Sequence, residues 1–330
     1  MSVIRRIFKS AAQREQFARD AEVADPIIDR LVAATDKRLA HLKDLRETLR
    51  APVLAAHEAM RRAIATIPGP TEVSPRAWSQ DATVKALFAR AEDAAAAFSN
   101  DPVARAFFAG HPGCDCFALL GLEKHDKRVL STVMQGEIQA EVTRTTVSFT
   151  EPQILAPAGT EAEVRAELAL RALENLALRA LERVGAVRAQ RHELEKERSL
   201  LQAELRLAQR RGAGFGALAG GEASRTAQIE RDLEATVREL EAAASNQLLP
   251  GLLEALVDVL ANPHDYLKIE PCTLALDAMN FEAEPSAGAE VLRLAMLELA
   301  RRPTFGVLIA RFPRVELRAD TRLADAEKLL

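Results

Sequence analysis

The sequence predicts an α+β fold that is predominantly helical: a helical N-terminal domain, then a small antiparallel or mixed β-sheet core interrupted by a long antiparallel coiled-coil hairpin. Three observations carry this. Apolar residues recur at heptad positions from Leu170 to Ala208, stop at a Gly-rich run over 212–221, and return in a second amphipathic stripe. Apolar and polar residues alternate in short runs on both sides of that hairpin, in 113–157 and 263–318. Residues 1–67 carry their apolar side chains at helical spacing.

Taken in order, residues 2–24 read as a helix with Val3, Ile4, Ile7, Phe8, Ala11 and Ala12 on one face. Asp25-Pro26 reads as a new helix start, because proline at the first helical position loses no hydrogen bond. That second helix carries Ile28, Leu31, Thr35, Leu42, Leu45 and Leu49. Pro52 is expected to break or kink it, with helix resuming from His57 to Ile67. Pro68-Gly69-Pro70 to Pro75 opens a linker, 68–81. The helices of 82–112 are expected at about 79–98 and 101–109, the second starting at Asn100-Asp101-Pro102.

The pattern changes at Gly113. Phe117–Leu122 and Arg128–Met134, separated by the polar run Glu123–Lys127, read as a β-hairpin. A third strand is expected from Ile138 to Phe149, with a bulge near Thr143-Arg144 where the alternation slips phase. Beyond the helical insertion, Tyr266–Glu270, Cys272–Asp277 and Gly306–Leu317 read as strands and about 287–301 as an amphipathic helix. The two β-rich stretches, 113–157 and 263–318, are expected to form one domain, with 158–262 inserted between its halves and 319–330 as a C-terminal tail.

Thr160 with Glu163 three residues later is the capping-box arrangement, each side chain serving the other's free backbone N–H. From Leu170 the a and d places run to Ala208 and are apolar except at Arg191 and Arg198, which are one heptad apart and suited to setting register. Five glycines in the ten residues from Gly212 cannot continue a stable helix, so the chain turns there. The return helix carries Ile229, Leu233, Thr236, Leu240 and Ala243 on one stripe and is expected to end near Leu249-Pro250-Gly251. Residues 160–211 hold 11 Lys/Arg against 9 Asp/Glu, and residues 222–262 hold 3 against 8, so the two arms carry opposite net charge and favour closure within the chain.

At 330 residues and 48% hydrophobic content, the chain has room for two domains with real cores. A net charge of −4 disfavours a general nucleic-acid binder, whose surface must neutralise phosphate. The Ala- and Arg-rich composition is of a bacterial cast and reads as codon bias before function. Three cysteines are too few for a disulfide framework, and neither a membrane-spanning stretch nor a secretory signal is legible; the cytoplasm is the expected compartment.

Three groups of residues are candidate sites. Arg206, Arg210 and Arg211, with Phe215 and Leu218 beyond them, would make the hairpin tip a contact point for a protein partner. Ile4, Arg5, Arg6, Ile7, Phe8 and Lys9 form a basic amphipathic segment of the kind that lies on an anionic membrane surface. His111, Cys114 and Cys116 offer metal-ligand chemistry, since Cys-x-Cys on a strand puts both thiols on one face, but a second ligand pair is missing. The run Gly214–Ala219 has the G-x-G-x-x-A form of a dinucleotide fingerprint without the strand that must precede it, so no cofactor is expected. His125-Asp126 and His264-Asp265 are sequence neighbours whose side chains diverge, and no nucleophile elbow, P-loop or zincin motif is present.

The expected function is therefore a non-enzymatic scaffold or adaptor subunit of a cytoplasmic assembly, contacting protein partners through the coiled-coil arm. The alternative is a peripheral membrane protein anchored by its N-terminal helix, and the third reading an enzyme whose site is assembled from distant residues. The seam from Ile28 to Leu49 suits a homo-oligomer as well as closure within a bundle.

Overall fold

The computed structural model describes residues 11–135, 138–212, 222–243, 248–277, 279–283, 289–299 and 303–319. The fold is α+β and predominantly helical. Two compact units divide it, residues 1–54 with 174–261 and residues 55–173 with 262–330.

In the first unit, α1 runs from Ala11 to Ala34 straight through Pro26, correcting the expected helix start at that residue. Pro26 lies on the exposed face, while Ala24, Ile27, Ile28 and Leu31 form one buried stripe on both sides of it. Packing of that stripe offsets the hydrogen bond that proline removes. The helix expected to continue to Leu49 stops instead at Ala34. Asp36 caps a short 3-10 turn, Lys37–His41, by accepting from the Arg38 amide, and Leu39 within the turn is fully buried. α2, Leu45–Ala65, passes through Pro52 unbroken for the same reason as α1: Leu49, Val53, Ala56 and Met60 are all buried. Arg46 and Arg50 both reach Asp25, tying α2 to α1, and Arg50 also lies over the Phe17 ring.

Thr160 and Glu163 make the reciprocal capping box, each accepting from the other's backbone N–H, and α7 follows as 52 residues from Glu161 to Gly212. At 1.5 Å per residue it is about 78 Å long. α8 runs from Glu222 to Ala243 and α9 from Leu248 to Ala261, so helix is present over Leu249-Pro250-Gly251 where the sequence suggested an end. Pro250 sits in the first turn of α9, where a missing N–H costs nothing.

The second unit is built on a six-stranded sheet. Its strands are β1 (Thr71–Glu72), β2 (Cys116–Gln135), β3 (Ile138–Ala158), β4 (Leu267–Leu276), β5 (Glu290–Leu299) and β6 (Phe305–Phe312), in the order β3-β2-β6-β5-β4, with β1 parallel to β6 and the other pairs antiparallel. Strands from both sides of the helical insertion thus complete one sheet.

Three strand expectations are corrected. The polar run Glu123–Lys127 is not a turn: β2 continues through it for 20 residues, and the hairpin partner is β3. No Gly, Pro or Asn interrupts that run, and its charges are accommodated because His125, Asp126 and Lys127 are exposed while the half-buried Lys124 is bound to Asp126, and His125 Nε2 lies 2.8 Å from Thr150 Oγ1. The bulge expected near Thr143-Arg144 lies elsewhere. Register shifts fall between Phe117 and Leu119 and between Gly121 and Glu123, opposite Ala156 and Glu151, both of which have positive φ. The segment expected as a helix at 287–301 is strand β5. As a central strand it buries Leu292 and Leu294 on one face and Ala295 on the other, and such two-sided burial blurs alternation into a helix-like pattern. β4 crosses Pro271 without a break because it is an edge strand.

Short helices α3 (Pro75–Trp78), α4 (Ala82–Leu87), α5 (Ala91–Ser99) and α6 (Pro102–Gly110) cover one face of this sheet, dividing the single helix expected over 79–98. Ser74, Asp81 and Asp101 cap α3, α4 and α6 through side-chain oxygens. Phe98 stacks on Phe312 at 4.7 Å and Phe108 meets the same ring edge-on at 6.0 Å, inside a core that includes Ala118, Leu120, Leu122, Leu294, Leu308 and Ala310. Pro68 and Gly69 run close against β6: the Ile309 amide donates to the Pro68 carbonyl at 2.8 Å.

Candidate functional site

Two features of the fold present chemistry outward. One is the far part of α7 with α8. The other is a cleft beside α5.

On α8, Thr226, Ile229, Leu233, Thr236 and Leu240 are withdrawn from solvent, spaced three, four, three and four apart, with Val237 half-buried beside Thr236. This is a heptad stripe. Far along α7, Leu194, Leu201, Leu205 and Ala208 are withdrawn from solvent, again at heptad spacing, with Glu195 half-buried beside Leu194. Thr236 is buried at 5% exposure and its hydroxyl donates to the Asp232 carbonyl, so its polar atom is satisfied within its own helix. Arg191 and Arg198, predicted on the seam, are exposed, and Arg191 pairs with Glu195 one turn on. Outward-facing apolar residues remain on α7: Leu200 is 61% exposed and Leu207, one heptad later, 55%. Arg206 is exposed, and Arg210 and Arg211 occupy the last turn of α7. Phe215 and Leu218 lie outside the described residues, as do the Gly214–Ala219 run and the proposed membrane segment Ile4, Arg5, Arg6, Ile7, Phe8 and Lys9.

The cleft has a volume of about 550 Å³. Its apolar wall comes from Leu87 and Phe88 at the end of α4, Ala96 and Ala97 of α5, Leu122 of β2 and Phe149 of β3. Asp93, Asn100, Asp101 and Glu151 supply its polar groups, and no Lys, Arg or His lines it. Asp101 is committed to capping α6, accepting from the Val103 and Ala104 amides at 2.8 Å. Asp93 lies 3.5 Å from Arg90 Nε at the start of α5. Glu151 is exposed and is carried into position by the bulge at which its backbone turns left-handed. Sequence reading flagged Asp101 only as part of a helix start and missed Asp93 and Glu151, because the three acids come from separate segments brought together by the sheet.

His111, Cys114 and Cys116 do not share a strand face. His111 caps the end of α6, its ring stacked on Phe107 at 4.6 Å and its Nδ1 3.1 Å from the Phe107 carbonyl oxygen. Cys114 is exposed in the loop, whereas Cys116 is buried at the start of β2. Burial, and then the nearby Asp101 charge, push the Cys116 thiol up to about 12. Asp115, between them, accepts from the Arg314 amide and from Arg311, which hold its carboxyl below the usual range. Among the described residues no group of three or more His, Cys, Asp or Glu side chains is placed to hold a metal ion, and no helix is long and apolar enough to cross a membrane.

No family model matches the chain, and no curated protein or solved structure is significantly similar to it.

Proposed function

We propose that this chain is a non-enzymatic scaffold or adaptor subunit that works in the cytoplasm and contacts a protein partner through a coiled-coil arm made of α7 and α8. The observation that carries the reading is the match between the two heptad stripes. An antiparallel return places Ala208 beside Thr226, Leu205 beside Ile229, Leu201 beside Leu233 and Leu194 beside Leu240, so that in these four pairs a withdrawn residue of α7 meets a withdrawn residue of α8. In this register Arg198 falls beside Thr236, a polar pair of the kind that fixes alignment at some expense of stability. A seam this narrow leaves most of the arm's circumference to solvent, including Leu200 and Leu207, which supports a role in reaching outward over one in filling a core.

The test replaces residues 206–221 by a short Gly/Ser turn, keeping the base of the arm, and compares partners captured from the native host. Partners lost only with the replacement make the arm's end a recognition element. Retention of every partner by the replacement, and by a deletion of residues 186–247, overturns the reading.

A further inference from the structure

We propose that the acidic cleft beside α5 receives the Arg-rich end of α7 from a second copy of this chain. The inference rests on the reading of the arm as a contact element and names its partner. Across 205–221 the sequence carries Arg206, Arg210 and Arg211 and no Asp or Glu, although the whole chain has a net charge of −4. The cleft has the opposite character, with Asp93, Asp101 and Glu151 on its margin and no cation in its lining. Its apolar wall of Leu87, Phe88, Leu122 and Phe149 matches what an arginine brings besides charge. The three-carbon stem and flat guanidinium lie on apolar and aromatic surface, while the N–H fork binds carboxylate with two parallel bonds. Asp101 keeps an acceptor oxygen beyond the one that caps α6, since both amides bond Oδ1. A contact between two different patches on identical chains is head-to-tail, so it builds rings or open filaments.

The experiment is sedimentation of the full chain over a range of concentrations at low and high salt. Wild type is expected to associate at about 50 mM salt and to dissociate at about 500 mM, where charge pairs are screened. Asp93→Asn with Glu151→Gln, sparing the capping Asp101, is expected to weaken association about tenfold or more, as is Arg206→Glu with Arg210→Glu and Arg211→Glu. Mixing that arm variant with Asp93→Lys/Glu151→Lys is expected to restore association, the two variants alternating in the assembly. A variant is scored only if its circular dichroism and melting match wild type; should the lysine variant fail this, the Asn/Gln variant decides alone. Wild type that stays monomeric at low salt, or association that the cleft variants leave unchanged, overturns the proposal. If the arm variant alone loses association or a captured partner, the cleft assignment fails and the arm reading stands. If neither set of variants changes association and the Gly/Ser replacement keeps every partner, both fail.

Discussion

Arg144 Nη2 donates to Asp277 Oδ2 at 2.6 Å, joining β3 to the end of β4 across 133 residues of sequence. Around this pair the chain closes on itself: Phe281 bridges to Thr146, Glu282 to Leu276, and the Arg144 guanidinium lies 4.3 Å from the Phe281 ring centroid. Asp277 also accepts from the Met279 and Phe281 amides. Burial raises its pKa, but the Arg144 bond and the two amides outweigh it and hold the carboxyl below its ordinary value. A carboxyl depressed in the folded state contributes stability above the unfolded pKa of about 4, and that contribution is lost as pH falls through the folded value. Asp277→Asn is expected to lower unfolding free energy by about 1–2 kcal/mol at pH 7. The difference from wild type should shrink in urea titrations repeated below about pH 4.

The capping box at the start of α7 is open to a direct test. Thr160→Ala removes the acceptor of the Glu163 amide and is expected to destabilise by about 1 kcal/mol, read as a shift of the urea midpoint at constant slope. Thr160→Ser should recover most of it.

Gly69 has φ +133°, and a Cβ there would stand 2.4 Å from the Ile309 carbonyl oxygen. The three nearest atoms are the carbonyl oxygen, carbonyl carbon and Cβ of Ile309, none of them the far end of a flexible side chain. Gly69→Ala is expected to cost about 2 kcal/mol or more, with a melting-temperature drop of several degrees.

Thiol reactivity should separate the cysteines. Cys114 is exposed and is expected to react first with a thiol reagent at pH 8, Cys272 more slowly, and Cys116 only on unfolding, since its buried thiol is held protonated. Mass spectrometry of peptides after a timed pulse checks the order; rapid modification of Cys116 would contradict the packing at the start of β2.

The seam of the arm predicts a specific cross-link. With the native cysteines replaced, Leu201→Cys and Leu233→Cys are expected to form a disulfide within one chain on mild oxidation, whereas Leu200→Cys and Leu233→Cys should not. Oxidation only between chains would assign the seam to an intermolecular coiled coil.

The sequence disclosed the parts of this fold whose signals are local. The capping box, the 52-residue helix and the helix start at Asp101 follow from neighbours within four residues, whereas Ser74, read as linker, proves to cap α3. It misled where the deciding partner is distant. Pro26 reads as a boundary until the stripe of Ala24, Ile27, Ile28 and Leu31 is seen to pack across it. Glu123–Lys127 reads as a turn until β3 is seen to pair with all of it. β5 reads as a helix because neighbours on both flanks let it bury two faces. The cleft was illegible for the same reason, its acids standing at 93, 101 and 151 with no shared motif.

Pro271 acquires a further meaning from its place on the edge strand β4. There it removes an amide that an approaching foreign strand would need, between the exposed Lys268 and Glu270 on one side and the exposed Thr273 on the other. At the opposite margin the two irregular steps of β3, at Glu151 and Ala156, twist that edge out of the flat geometry on which amyloid-like stacking depends. Each outer strand thereby carries a feature that hinders pairing with a foreign strand, in addition to the bridges that tie both to residues 280–283.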